Sequence, residues 1–287
     1  MALAASGGPT TVRWTLLFEL TTAELALLLV ATIVGATAVG VFVGRRVRDR
    51  APGLSEPFGA LQAALLGLVA LLLAFGLSLA LSRYEDRRAS LVAEANAIGT
   101  TWLRAQTLPE PIRSRSLGLL VRYTESAIDV ADYKPGSEAE LAAVSRENQL
   151  QRRLWALAGQ AVTAEPQASA PRLYVETLNE MIDMQTVRVA ILNNRVPSAV
   201  LLLELFGAAL AVGLLTAYLV LSGRGIVTVS FASILVVLVL FVIADLDRPT
   251  RGEIQVPDAV LVDQLESMRK GPAAVAPTGA DAARARP

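Results

Sequence analysis

The stretch from Gly59 to Arg104 constrains this chain more than any other. It opens as GALQAALLGLVALLLAFGLSLALS, about two dozen residues without a charge. Coiled as an α-helix at about 1.5 Å per residue, that run crosses a hydrocarbon core of roughly 30 Å. It continues without a proline into RYEDRRASLVAEANAIGTTWLR, where charges return at helical spacing. The pattern predicts one long helix that leaves a membrane and enters a water-exposed helical body.

Composition points the same way. Of 287 residues, 53% are hydrophobic and only 18% charged, and the mean hydropathy of +0.49 is too high for an ordinary soluble protein of this size. The 26 basic and 26 acidic residues cancel, so net charge gives no case for a nucleic acid partner. With no Cys and no His, the chain has no disulfide framework, thiolate nucleophile, Cys/His metal site or imidazole base. Only carboxylates are left for acid–base work, so an enzyme is not expected. The first dozen residues lack a positive charge, and Arg45 to Arg50 follow the first apolar run. That run therefore reads as a retained span, not a cleaved signal.

Taken in order, residues 1–24 form an N-terminal segment. Within it, Arg13–Glu24 is either a short interfacial helix or the ragged start of the first span. Residues 25–82 hold spans one (25–44) and two, joined by RRVRDRAPGLSEPF. Residues 83–197 form the helical body. Its first helix extends span two and ends at LPEP, because proline disfavours a helical predecessor and cannot donate its own hydrogen bond. Helices follow over 112–133, 138–162 and 172–194. The second of these carries Leu141, Val144, Leu150, Leu154, Trp155 and Leu157 as its expected buried stripe. The third carries Leu173, Leu178, Met181, Ile182, Val189 and Leu192. Residues 198–244 hold spans three and four, 245–270 a C-terminal loop and helix, and 271–287 an Ala/Pro/Gly tail expected to be disordered. The fold class is an all-α membrane protein with four transmembrane helices and a helical extramembrane domain between spans two and three.

Four spans put both termini and the body on one side. Arg45, Arg46, Arg48, Arg50 and Arg224 sit in the two short loops. Arg13, Arg83, Arg87, Arg88, Arg188, Arg195, Arg248 and Arg251 sit opposite. The totals favour a cytoplasmic body, and the local density of RRVRDR pulls the other way.

Several polar groups are candidates for function. Arg83, Arg87, Glu94 and Arg104 recur near one helical face, where opposite charges can pair or simply be solvated. Glu94 and Asn96 interrupt an otherwise small and apolar run, so a buried carboxylate there needs a partner such as Arg88 or Arg104. Asn179 and Asp183 lie one turn apart in LNEMID, suited to a cation or to an arginine of the first soluble helix. These residues, with Glu94, Asn96 and Arg104, are expected to form a structural polar network at a helix crossing. Glu204, two turns into span three, either faces protein or snorkels to the interface. Asp245, Asp247 and Glu253 follow span four and are a donor set that Ca²⁺ can take. Arg248 and Arg251 neutralise the same acids, and no cofactor is expected.

The whole order is two spans, a body opened by SRYEDRRASLVAEANAIGTTWLR, a NEMID helix, two spans and DLDRPTRGEI. From about residue 22 to 268 it resembles the bacterial bestrophin-like proteins. These in turn are distantly similar to bestrophin channels, in which an aromatic and Arg-rich segment follows the second span and an acidic proline-containing loop follows the fourth. The resemblance implies a pentamer with cytoplasmic termini and a pore lined by the second span, narrowed by a ring of apolar side chains. Setting Arg83 and Tyr84 against the corresponding segment brings Gly67, Leu71 and Phe75 to that neck. Ordinary helix packing is the alternative for the same stripe. This chain departs from the pattern in three ways. Gly67 is a small plug, the aromatic pair is reduced to Tyr84, and the acidic loop is shorter and contains arginines, which argues against calcium gating.

The expected function is a homo-oligomeric, pentameric ion channel in the inner membrane of a bacterium, multi-pass, with termini and helical body cytoplasmic. Its partners would be the lipid bilayer, its own copies and small inorganic ions. Rings of Arg83, Arg87 and Arg88 at the mouth would favour anions, and rings of Glu85, Asp86 and Glu94 cations. Anions are placed ahead of cations. The alternative is a non-conducting scaffold or sensor whose helical body binds a partner protein.

Overall fold

The computed structural model describes residues 20–50, 55–133, 136–194, 196–223, 227–248 and 252–271. Most of the expected interfacial helix and all but the first residue of the expected tail lie outside them. Every element among the described residues is helical: α1 (Thr22–Arg50), α2 (Ser55–Ala105), α3 (Ile112–Asp132), α4 (Glu138–Ala164), α5 (Ser169–Asn193), α6 (Ser198–Leu221), α7 (Val227–Leu246) and α8 (Ala259–Arg269).

Two helix starts follow directly from local sequence. Thr21 Oγ1 accepts from the Glu24 N–H at 3.2 Å, and the Thr21 N–H donates to Glu24 Oε2 at 2.7 Å. At α4, Ser137 Oγ accepts from the Glu140 N–H at 3.2 Å, while Glu140 Oε2 accepts from the Gly136 N–H at 2.6 Å. Each is a hydroxyl and a carboxylate three residues apart, satisfying donors that the first helical turn leaves open. Arg45, Arg46 and Arg48, expected in a loop, continue α1 instead.

The chain divides into two compact units. The first comprises 1–84 and 195–255, the second 85–194 and 256–287. In the first unit, α1, α2, α6 and α7 are each long and apolar enough to cross a membrane. Inside hydrocarbon a spanning segment must satisfy its backbone groups within itself, which a helix does. Leu29, Ile33, Val69, Leu73, Ala211, Val212, Leu240 and Ile243 form its interior, and Leu27, Val34, Phe42, Phe206, Phe231 and Ile234 face outward.

The tightest packing there is between α1 and α6. A Cβ at Gly40 would overlap the Gly213 carbonyl oxygen, and one at Gly44 would lie 2.8 Å from the Ala217 oxygen. Glycines four residues apart let two backbones approach this closely, and the gain is dispersion between surfaces that lipid would otherwise cover.

In the second unit, Leu91, Ile98, Leu120, Tyr123, Leu154, Tyr174, Leu178, Met181 and Leu261 build the core. The stripe of α4 is the expected one only in part, at Leu154 and Leu157, with Val144 and Leu150 half-buried. Leu141 and Trp155 are exposed (63% and 45%), and the buried face is Glu140, Ala143, Glu147, Gln151, Leu154, Leu157, Ala158 and Ala161. On α5, Leu173 is likewise exposed, and its neighbour Tyr174 is buried. An apolarity pattern cannot find an interior face that contains two glutamates and a glutamine.

Gly40→Leu should lower the thermal stability of the purified protein, because overpacking costs about 1–3 kcal/mol. Gly35→Leu on the same helix should be tolerated, since nothing lies within 4 Å of the Cβ position there. Equal melting temperatures for the two variants would contradict the seam.

Candidate functional site

On the membrane portion of α2, one face packs and one does not. Val69, Leu73, Gly76 and Ala80 are buried within the first unit. Gly67, Leu71 (53% exposed), Phe75 (64% exposed), Ser78 and Ser82 are exposed, three or four residues apart, and therefore share one stripe. The stripe holds all three expected neck residues and two hydroxyls besides.

Next to Phe75 on the buried side, Gly76 makes room for the side chain of Glu204. A Cβ at Gly76 would overlap the Glu204 carboxylate of α6, and Glu204 is only 3% exposed. Of the two readings from sequence, the carboxylate faces protein and does not snorkel out. Its Oε2 has no hydrogen-bond partner among the described residues.

Beyond the apolar run, the arginines expected at a mouth differ in setting. Arg83 is half-buried, Arg87 is 5% exposed and Arg88 is exposed, while Glu85 and Asp86 both remain exposed.

The expected polar network is regrouped. Glu94 is fully buried, and its Oε2 lies 2.5 Å from Arg188 Nε, not near Arg88 or Arg104. Arg188 Nη2 donates to Glu147 Oε1 at 2.8 Å, Gln185 Nε2 donates to Glu147 Oε2 at 3.0 Å, and the Tyr123 hydroxyl donates to Glu94 Oε1 at 3.2 Å. One cluster thus draws side chains from α2, α3, α4 and α5. Asn96 is exposed, because two residues along a helix turn about 200° and reverse the face. Arg104 Nη1 donates to the Leu173 carbonyl at 2.8 Å and pairs with Glu176 at 3.6 Å. Asn179 Nδ2 donates to Asp183 Oδ2 at 3.1 Å on the surface.

Two buried carboxylates share one buried guanidinium. Burial pushes the Glu147 carboxyl above its usual range, against the opposing pull of Arg188. Burial would lower Arg188, but Glu94 and Glu147 outweigh it and hold the guanidinium charged. The Tyr123 hydroxyl is driven well up by burial and by Glu94, so it stays a donor.

The acidic loop is built differently again. Asp245 accepts from the N–H groups of Glu253 (3.1 Å) and Ile254 (2.9 Å), and Asp247 accepts from the Val196 N–H with both oxygens at 3.1 Å. Both aspartates are fully buried, and the Glu253 side chain is exposed. The oxygens of both aspartates thus accept backbone N–H bonds that hold the chain on either side of the membrane helices.

The cluster carries two predictions. Arg188→Leu leaves two buried carboxylates without their cation and should destabilise the protein by about 3–5 kcal/mol, read by thermal or denaturant unfolding. Because folding raises the Glu147 pKa, its contribution to stability is complete below the unfolded value of 4.5. It is lost as pH rises through the folded value. Wild-type melting temperature should therefore decline above pH 4.5, and Glu147→Gln should decline less. Parallel profiles would exclude Glu147 as a source of the pH dependence.

Comparison with known proteins agrees with this architecture. Residues 16–261 match the Bestrophin-like domain. The fold is similar to that of a bacterial bestrophin homologue from Klebsiella pneumoniae phased with zinc: TM-score 0.62, 18% identity, covering 83% of this chain and 97% of that one. A tyrosine-to-alanine variant from Klebsiella pneumoniae gives TM-score 0.62 at 18% identity, over 83% of this chain and 98% of that one. A structure described as a membrane protein, a leucine-to-alanine variant, gives TM-score 0.64 at 16% identity with the same coverage. No curated protein matches the chain. With its sequence matched over nearly its whole length and its helices arranged as in those structures, this chain belongs to the bestrophin-like family.

Proposed function

We propose that this membrane protein is a homo-oligomeric ion channel, a pentamer whose conducting path is lined by the membrane portion of α2. One observation carries the reading: the continuous exposed stripe Gly67, Leu71, Phe75, Ser78, Ser82 on a helix whose other face is packed. Copies brought together on that stripe would enclose an apolar constriction followed by hydroxyls. A constriction without fixed charge gates by wetting and drying, and Phe75 is its bulkiest side chain. Multi-pass insertion in a bacterial inner membrane with a cytoplasmic body belongs to the same proposal, which assigns no catalysis to the chain.

The charge at the mouth follows from the helical period. Each residue of α2 advances about 100°, so Asp86 returns to the face of Ser82 one turn on, with Glu85 beside it. Arg83, Arg87 and Arg88 lie about 100° or more away from that face, and Arg87 is buried. This phase supports a cation-favouring mouth of Glu85 and Asp86 over the anion-favouring ring of Arg83, Arg87 and Arg88 expected from sequence.

Reconstituted in planar bilayers, the purified oligomer should conduct. Phe75→Ala should raise conductance or open probability several-fold, and an unchanged current would remove Phe75 from the gate. Under a KCl gradient the reversal potential should lie toward potassium, and Glu85→Gln with Asp86→Asn should move it toward chloride. A reversal potential indifferent to both substitutions would contradict an acidic mouth. A silent oligomer under every salt, pH and voltage would leave the scaffold reading.

A further inference from the structure

Six carboxyl side chains are buried among the described residues: Glu94, Glu140, Glu147, Glu204, Asp245 and Asp247. Five of them accept hydrogen bonds, from Tyr123, from arginine and glutamine side chains or from backbone N–H groups. Glu204 is the exception. It is 3% exposed, makes no ion pair and accepts no hydrogen bond among the described residues. It also lies well inside a span, six residues past Ser198 or about 9 Å along α6, whereas Asp245 stands in the last turn of α7.

Shape, not polar bonding, holds this side chain. Gly76, six residues before the apolar run of α2 ends at Ser82, leaves the space of a Cβ, and the Glu204 carboxyl fills it. No other glycine described in the four spans is filled by a carboxyl: Gly35 and Gly67 face open space, and Gly40, Gly44 and Gly213 meet backbone. No charged group on a neighbouring helix compensates Glu204. On α1, Glu24 bonds Thr21 at the helix start, and Arg45, Arg46 and Arg48 lie at its end. On α2 the next titratable groups are Arg83 and Tyr84, two turns beyond Gly76. On α7, Asp245 is taken by the N–H groups of Glu253 and Ile254, and after it Asp247 is taken by that of Val196. Arg248 follows, and neither it nor Arg83 pairs with Glu204. An ionised carboxylate without a partner is costly inside a span, and such residues are rare unless they serve a function.

We propose that Glu204 is the proton-binding site that gates the neck: it holds α2 through the Gly76 notch while protonated and releases it when ionised. This rests on the channel reading above. Phe75 directly precedes Gly76, so whatever fills the notch sets where the neck side chain points. In the packed state the acid is neutral and the constriction is dry. When the O–H bond of the carboxyl breaks, its proton passes to water and the bonding electrons stay on the carboxylate. The anion is better solvated by water than by the notch. It leaves Gly76, α2 turns, and Phe75 withdraws from the axis. Acid closes the path and base opens it.

Currents of the reconstituted full-length oligomer are recorded from mildly acidic to alkaline pH. Wild-type open probability should rise several-fold with pH. Glu204→Gln fills the notch and cannot ionise, so its open probability should stay low throughout. Gly76→Ala should stay high throughout, because the added Cβ evicts the end of a flexible side chain. Infrared difference spectra between the two pH extremes read the proton without current. Wild type should lose a carboxylic C=O band on the alkaline side that Glu204→Gln lacks. A conducting oligomer in which Glu204→Gln keeps the wild-type pH response, or spectra in which the two proteins agree, overturns the assignment and leaves the channel reading standing. An oligomer silent at every pH overturns the gate together with the channel reading, even where the band is present.

Discussion

A helix that crosses hydrocarbon must close its backbone hydrogen bonds on itself, and α2 goes on doing so beyond the apolar run that requires it. One element therefore serves two solvents. Its first half is sorted by packing against α6 and α7, where small residues such as Gly76 and Ala80 permit close approach and Phe75 is left outside. Its second half is sorted by water, which selects Leu91, Ala95, Ile98 and Trp102 for the core of the helical body. The stripe that neither packing claims is the one on which function rests in this account.

The body is held by an arrangement that apolar burial alone would not choose. Placing Glu94, Glu147 and Arg188 out of water costs several kcal/mol per ion, and their mutual attraction recovers that only with good geometry. The geometry is supplied by four helices at once, with Tyr123 and Gln185 satisfying the oxygens that Arg188 does not reach. A helix that shifted by one residue would leave a charge unpaired. Such a cluster adds little net stability over a well-packed apolar core. The buried aspartates of the first unit act in the same manner on a smaller scale: Asp247 ties down the Val196 N–H just before α6 begins, and Asp245 orders the chain that leaves α7.

Much of this was legible from residues alone, and the limits have physical causes. The spans could be read because an uninterrupted apolar run has one stable conformation in lipid. The starts of α1 and α4 were written as hydroxyl–carboxylate pairs three residues apart at Thr21–Glu24 and Ser137–Glu140. The neck stripe required the resemblance to choose it, since spacing alone fits packing equally well. The partners of Glu94 were not legible, because Arg188 is distant in sequence and near only after α2 and α5 meet. Asn96 was a misreading of period, being on the face opposite Glu94. Glu147 had a signal that went unused: it lies four residues from both Ala143 and Gln151 and seven from Leu154, in line with a buried face. Gly40 and Gly44 likewise mark a seam that only the close approach of α6 makes visible.

The central claim is that one face of α2 borders water in the assembled protein. Because the chain has no cysteine, single cysteines report without background. A charged, water-soluble thiol reagent applied to reconstituted Leu71→Cys, Phe75→Cys, Ser78→Cys and Ser82→Cys proteins should alter the current at each. The same reagent should leave Leu73→Cys and Ala80→Cys unchanged. Modification without that periodicity, or none on the exposed stripe, would place the face against lipid and contradict the account.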